Sequence, residues 1–177
     1  MTTNPTTAED RLATLGLPLP EAPTPVDAYG PAVQTGNLLV LSGMHATSGH
    51  MATVVGIVGT NLDVQAGREA AYTAALNVLA LTRKQLGSLD RVSRVVRLGV
   101  YIAATVECTE HPKICRCRLG AASRYVRRND RLFSPRLWCR QPATRFSSRA
   151  GSHPRSARSM IMLVLLSMQS TRANPTL

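Results

Sequence analysis

Ser42 and Gly43 close a short apolar run, Leu38 to Leu41. Together they offer a hydroxyl donor and a backbone that a ligand carboxylate can approach closely. A strand end uses the same two residue types for conformational reasons, so both readings stand. His45 and His50 follow in a loop and read as solvent-exposed rather than catalytic. Arg97 alternates with an apolar strand face and reads as facing solvent or a neighbouring subunit. Cys115, Cys117, Cys139 and His153 are of types that hold zinc. Their C-x-C spacing and long irregular gaps match no common structural pattern, so no metal is expected. Tyr125, Phe133 and Trp138 sit among arginines, a mixture that can stack on bases and contact phosphates. These arginines form no helical stripe and no recognised module accompanies them, so specific nucleic-acid binding is not expected. No Ser-His-Asp order, phosphate loop or paired-carboxylate motif stands out, and no cofactor is implied.

The chain has 177 residues, enough for one domain with a real core, and a formal charge of +11. The charge is unevenly placed. Residues 1–114 hold 8 Lys+Arg against 9 Asp+Glu, whereas residues 115–177 hold 13 arginines against the single acid Asp130. "MTTNPTTAED" has neither a basic n-region nor an apolar h-region, which argues against secretion and for free thiols in the cytoplasm. "MIMLVLLSM" (Met160–Met168) is about half the roughly 20 apolar residues a spanning helix needs, so no membrane segment is expected.

Several elements must position these groups. Residues 1–28 are rich in Pro and Thr and allow no more than an opening turn near Ala8–Leu15. "AVQTGNLLVLS" reads as a β-hairpin from Ala32 to Ser42, because Gly36 and Asn37 both tolerate positive φ. A short strand is expected at Thr53–Val58. Asp63 can cap a long helix whose apolar stripe is Ala71, Ala75, Val78, Leu79, Thr82 and Leu86. Gly87 is placed as its left-handed stop, and Ala70 and Ala74 would let it lie close on a sheet. Alternation from Val95 to Ala103 then gives a strand. Hairpin, strand, helix, strand make an α+β unit.

This order resembles the RidA family, also called YjgF/YER057c/UK114 or endoribonuclease L-PSP. The residues that carry the likeness are Tyr29, Ala32, Val33, Gly36, Asn37, Ser42 and Gly43, then "AALNVLA", "LGSLDRVSRVVRLGVYIA" and "TEHPKI". The likeness covers roughly Ala8 to Ile114. Met44 departs from the glutamine that many members carry after Ser-Gly. The resemblance implies a chorismate-mutase-like sheet with two helices on one face, assembled as a homotrimer with ligand clefts between subunits. It implies hydrolysis of reactive enamines and imines, such as 2-aminoacrylate, to 2-keto acids and ammonia. It places Tyr29, Ser42 and Gly43 at a substrate-binding cleft, although Tyr29 can equally be read as packing on the hairpin. Such chemistry asks for a clamp on the substrate carboxylate and a positioned water. An arginine suits that clamp because its planar fork meets a carboxylate bidentately.

In the family that arginine begins a strand after the second helix, and residues 115–177 show no match to its setting. Moving the reading frame by one base at Cys115 offers a reason. Codons exist that turn Cys115–Asn129 into "ADAAWELLRDMFGE" and Pro135–Ser148 into a string containing "GVASLPLGS", both family-like. The sequence therefore divides into a Pro/Thr-rich segment (1–28), a truncated RidA-like domain (29–114) and an Arg/Ser-rich tail (115–177). The tail is expected to be disordered or only locally helical, leaving the sheet incomplete, the protein marginally stable and any deaminase activity impaired. Two other readings are a non-catalytic ligand-binding or interaction trimer and an arginine-tailed RNA binder.

Overall fold

The computed structural model describes residues 7–24, 30–49, 51–116, 138–140 and 163–170, the last two stretches by their backbone. In chain order these form α1 (Ala8–Thr14), β1 (Ala32–Thr35), β2 (Leu38–Met44), β3 (Thr47–Ser48) and β4 (Met51–Ala52). There follow α2 (Val64–Leu86), a 3-10 turn (Leu89–Arg91), β5 (Val92–Tyr101), α3 (His111–Arg116), β6 (Trp138–Arg140) and β7 (Leu163–Ser170). Five strands make one sheet in the order β1-β2-β7-β5-β6. Only the β5–β6 pair is parallel. The architecture is the α+β arrangement expected from the sequence.

The hairpin forms because Gly36, at φ 53°, supports a two-residue turn that aligns Thr35 with Leu38 and Ala32 with Leu41. Alternation then sends Leu39 and Leu41 inward and leaves Val40 exposed. In α2 the capping residues act as expected. Asp63 Oδ1 accepts from the Ala66 amide at 2.7 Å, and Gly87 at φ 80° donates to the Arg83 carbonyl. The whole predicted stripe, Ala71 to Leu86, is buried with Ala70 and Ala74, in one cluster with Leu39, Leu41, Leu98 and Val100. Each large aliphatic side chain in that cluster contributes about 1.5–3 kcal/mol by leaving water. Gly67 matters for a different reason. A Cβ there would stand 3.2 Å from Ile114 Cδ1 and Val58 Cγ2, so glycine is what lets α3 and the Val58 loop close on α2.

Three expectations are corrected. Thr53–Val58 is not a strand. Its β-branched residues lie in a loop held at Thr53, whose N–H and hydroxyl both donate to Ala46 O at 2.8 Å, and at Val58, whose N–H donates to Ala103 O at 3.0 Å and whose carbonyl accepts from Thr105 N at 2.9 Å. The N-terminal segment is more than an opening turn. Thr7 and Asp10 form a capping box, and Ala8 and Leu12 are buried in the main core. Asp90 accepts from the Ala8 and Glu9 amides, while Glu9 accepts from Leu89 N at 3.0 Å and pairs with Arg83. The Glu9–Arg83 pair is partly exposed and adds at most about 1 kcal/mol. The buried Leu89 amide would lose its acceptor too, a cost of about 1–3 kcal/mol. Glu9→Ala is therefore expected to lower the unfolding free energy by about 1–3 kcal/mol in urea titration, whereas Glu9→Gln recovers part of it.

Two segments of the tail enter the sheet as β6 and β7. β7 fills the gap between the hairpin and β5, pairing Leu41 with Leu166 on one side and Leu98 with Leu166 on the other. β6 adds a parallel edge, with Gly99 opposite Trp138 and Tyr101 opposite Arg140. Leu163–Leu166 gives the strand a continuous apolar run at the middle of the sheet. The rest of the tail lies outside the described residues. Cys115 is disulfide-bonded and Cys108 is a free thiol, which corrects the reading of all four cysteines as free.

Candidate functional site

Residues directly opposite in a sheet share a face, so the register assigns each side chain. Leu41, Leu98 and Val100 point to α2 and the core. Val40 pairs with Ser167, which pairs with Arg97, and this row lies on the outer face together with Val33. One step along β5, Gly99 and then Tyr101 occupy the same outer face, while Ser42 lies within the β2–β7 register shift and has no paired residue. The Tyr101 ring lies over Gly99, 3.1 Å from where a Cβ would stand, so glycine is required beneath it.

Ser42 is held by its amide, which donates to the Pro31 carbonyl at 2.9 Å. Its Oγ is covered and has no hydrogen-bond partner among the described residues, an arrangement that costs about 1–3 kcal/mol in a purely structural role. Gly43 sits where the β2–β7 register shifts between Leu41 and Met44, so the strand loosens at the residue expected to meet a ligand. Ser42 and Gly43 thus stand together at an irregular strand end. Tyr29, the third expected binding residue, lies outside the described residues, as does His50. His45 is exposed. Of the zinc set only Cys115 has a described side chain, and the same limit applies to Tyr125, Phe133 and Trp138.

Asn77 is the residue that sequence reasoning missed. It is 1% exposed on α2, and its Nδ2 donates to the carbonyls of His45 and Thr47 at 3.0 Å each and to Thr47 Oγ1 at 3.3 Å. These bonds fix the chain leaving β2, immediately after Ser42 and Gly43. Beyond Asn77 a cavity of about 630 Å³ opens between the Pro18–Thr24 strap, Thr47–Gly49 and the α2 residues Thr73 and Leu76. Neither Ser42 nor Gly43 lines it. Among the described residues no helix is long and apolar enough to cross a membrane. No cluster of three or more His, Cys, Asp or Glu suited to a metal occurs among them either.

Comparison with known proteins bears on this arrangement. The family described as "YjgF/chorismate_mutase-like, putative endoribonuclease" matches residues 9–126, past the point at Ile114 where the motif likeness was expected to stop. Protein TCP17 of Trypanosoma cruzi is 36% identical over 99 residues, 56% of this chain and 62% of that protein. The chain thus spans under two thirds of this relative's length. A solved structure from Shewanella oneidensis MR-1, which carries the same endoribonuclease description, superposes with a TM-score of 0.65 at 25% identity, covering 92% of this chain and 99% of that one. Protein Atu1372 of Agrobacterium tumefaciens, of unknown function, gives 0.66 at 24% identity over 94% and 93%, and the YjgF product of E. coli gives 0.51 at 16% over 86% and 94%. These last two speak for the fold alone. With two thirds of its residues inside the family match, the chain belongs to the YjgF/RidA family.

Proposed function

We propose that the chain binds a small carboxylate-bearing enamine or imine beside Ser42 and Gly43 and promotes its hydrolysis to a 2-keto acid and ammonia. In that reaction water adds to the electrophilic imine carbon, the C–N bond breaks, and nitrogen leaves as ammonia after protonation. The observation that carries the reading is the unpartnered Ser42 hydroxyl beside Gly43, in a chain of this family. A hydroxyl left without a partner at a loosened strand end is set to serve a ligand's acceptor. The exposed outer-face residues Val33 (62%) and Val40 (39%) give the sheet an apolar surface suited to self-association, and we place the clefts between copies of a homotrimer. The site of action proposed is the cytoplasm. The described strand residues of the outer face include no His, Asp or Glu, so the expected acceleration is modest and rests on positioning.

Ammonia release from 2-aminobutenoate, generated from threonine by a pyridoxal-phosphate dehydratase, tests this. Stoichiometric chain is expected to raise the rate above the buffer rate, and Ser42→Ala to lower that gain about tenfold, one charge-assisted hydrogen bond's worth. A folded oligomer with no acceleration would favour the ligand-binding reading. The endoribonuclease description of the relatives supports a third outcome, cleavage of RNA, which a salt-resistant loss of full-length substrate would reveal.

A further inference from the structure

The strap that walls the cavity beside α2 carries prolines at Pro18, Pro20 and Pro23. Proline restricts φ and has no N–H, so the strap is stiff and brings few backbone donors. Opposite it stand Thr73, Leu76 and Asn77, on one face of α2 because helix residues three and four apart are neighbours. The Asn77 Nδ2 meets three acceptors, the His45 and Thr47 carbonyls and the Thr47 hydroxyl, and this fixes the orientation of the amide. Its Oδ1 accepts no hydrogen bond among the described residues, although Asn77 is 1% exposed and lines the cavity. A buried acceptor is ordinarily partnered, so this oxygen is the polar atom Asn77 has to offer to an occupant. Charge points the same way. Among the described residues that line the cavity there is no Lys, Arg or His, whereas Glu21 sets a carboxylate at its exposed rim. Glu21 has no ion-pair partner among the described residues. Leu19, Leu76 and the proline rings supply apolar surface between these two groups.

We infer that this cavity is a binding site for a small organic ammonium compound. The ammonium donates to Asn77 Oδ1 in the field of the Glu21 carboxylate, and the hydrocarbon part lies against Leu19, Leu76 and the prolines. A neutral alcohol would satisfy the amide oxygen and leave the charge unanswered. A carboxylate or phosphate would meet an acceptor and a like charge, which excludes both. The volume of about 630 Å³ falls within the range of small-molecule sites. Because the strap is already stiff, little ordering opposes binding. The cavity is separate from Ser42 and Gly43, which do not line it, so the inference stands apart from the hydrolytic reading.

The test titrates the full chain with 2-phenylethylammonium and follows chemical shifts of side-chain amides and methyl groups. Saturable shifts are expected at the Asn77 carboxamide and the Leu76 methyls. The isosteric 2-phenylethanol should bind about tenfold more weakly, since a charged donor is replaced by a neutral one. The anion 3-phenylpropanoate should not bind. Thr73→Trp places an indole in the cavity and should weaken the ammonium at least about tenfold, one buried contact's worth. Glu21 is exposed, so Glu21→Gln should leave the melting curve unchanged and weaken the ammonium about threefold. That variant keeps the test decisive even where Thr73→Trp fails to fold. No saturable shift of the Asn77 carboxamide would overturn the inference. So would 3-phenylpropanoate binding as tightly as the ammonium, or unchanged affinity in either folded variant.

Discussion

Replacing Leu166 by proline is expected to abolish cooperative unfolding. Leu166 pairs with Leu41 on one side and Leu98 on the other, in the middle strand of the sheet. Proline has no N–H to give and its ring displaces the neighbouring backbone, which is why it is confined to sheet edges. One buried carbonyl left without its donor costs about 1–3 kcal/mol, and misalignment multiplies that along both ladders. Small domains hold only about 5–15 kcal/mol in total, so the loss is decisive. Circular dichroism should show a broad, non-cooperative melt for Leu166→Pro and a sharp one for Leu166→Val. Amide exchange in the wild type should protect Leu163–Ser170 as strongly as Leu38–Leu41. Full, rapid exchange at Leu163–Ser170 would show that β7 does not occupy the sheet.

Asn77→Ala is the second large effect. One amide group donates to His45 O, Thr47 O and Thr47 Oγ1, all from a helix position that is 1% exposed. Truncation takes the amide from both carbonyls, of which that of His45 keeps the Thr47 N–H at 3.0 Å, and leaves a small void, for a total of about 1–4 kcal/mol. The expected signature is a lower urea midpoint at unchanged slope. Because His45–Thr47 continue directly from Ser42–Gly43, the same variant should also lower the gain in ammonia release, with no change in charge. A stability loss below about 0.5 kcal/mol would mean that water replaces the amide at no cost.

Most of the fold up to Ile114 could be read from local patterns. Gly36-Asn37 between apolar runs marked the hairpin, and the Asp63 cap with Gly87 bounded α2, because those signals act within a few residues. Thr53–Val58 was misread for the opposite reason: its β-branched residues favour a strand, but its backbone partners are scattered, Ala46 at one end and Ala103 and Thr105 at the other, rather than set along one strand. β7 escaped notice because a short apolar run does not distinguish strand from helix, and its partners lie more than 60 residues away in sequence at Leu98 and further at Leu41. Within the site, Ser42 and Gly43 were legible as a type of strand end. Asn77 was not, since its value comes from carbonyls about 30 residues distant that only the folded chain brings near. Arg97 could be placed on a strand by alternation, yet its face depended on the register shift between Val95 and Arg97.

The strand that joins the two halves of this sheet is made from residues 163–170, long after β2 and β5 in the chain. A nascent polypeptide leaving the ribosome therefore holds β2 and β5 apart until that late segment has been made. Meanwhile both strands present open hydrogen-bonding edges, the kind of surface that recruits chaperones or other growing chains. Yield should consequently respond to synthesis rate and temperature more than the melting point does, since the hazard belongs to the interval before release and not to the finished molecule.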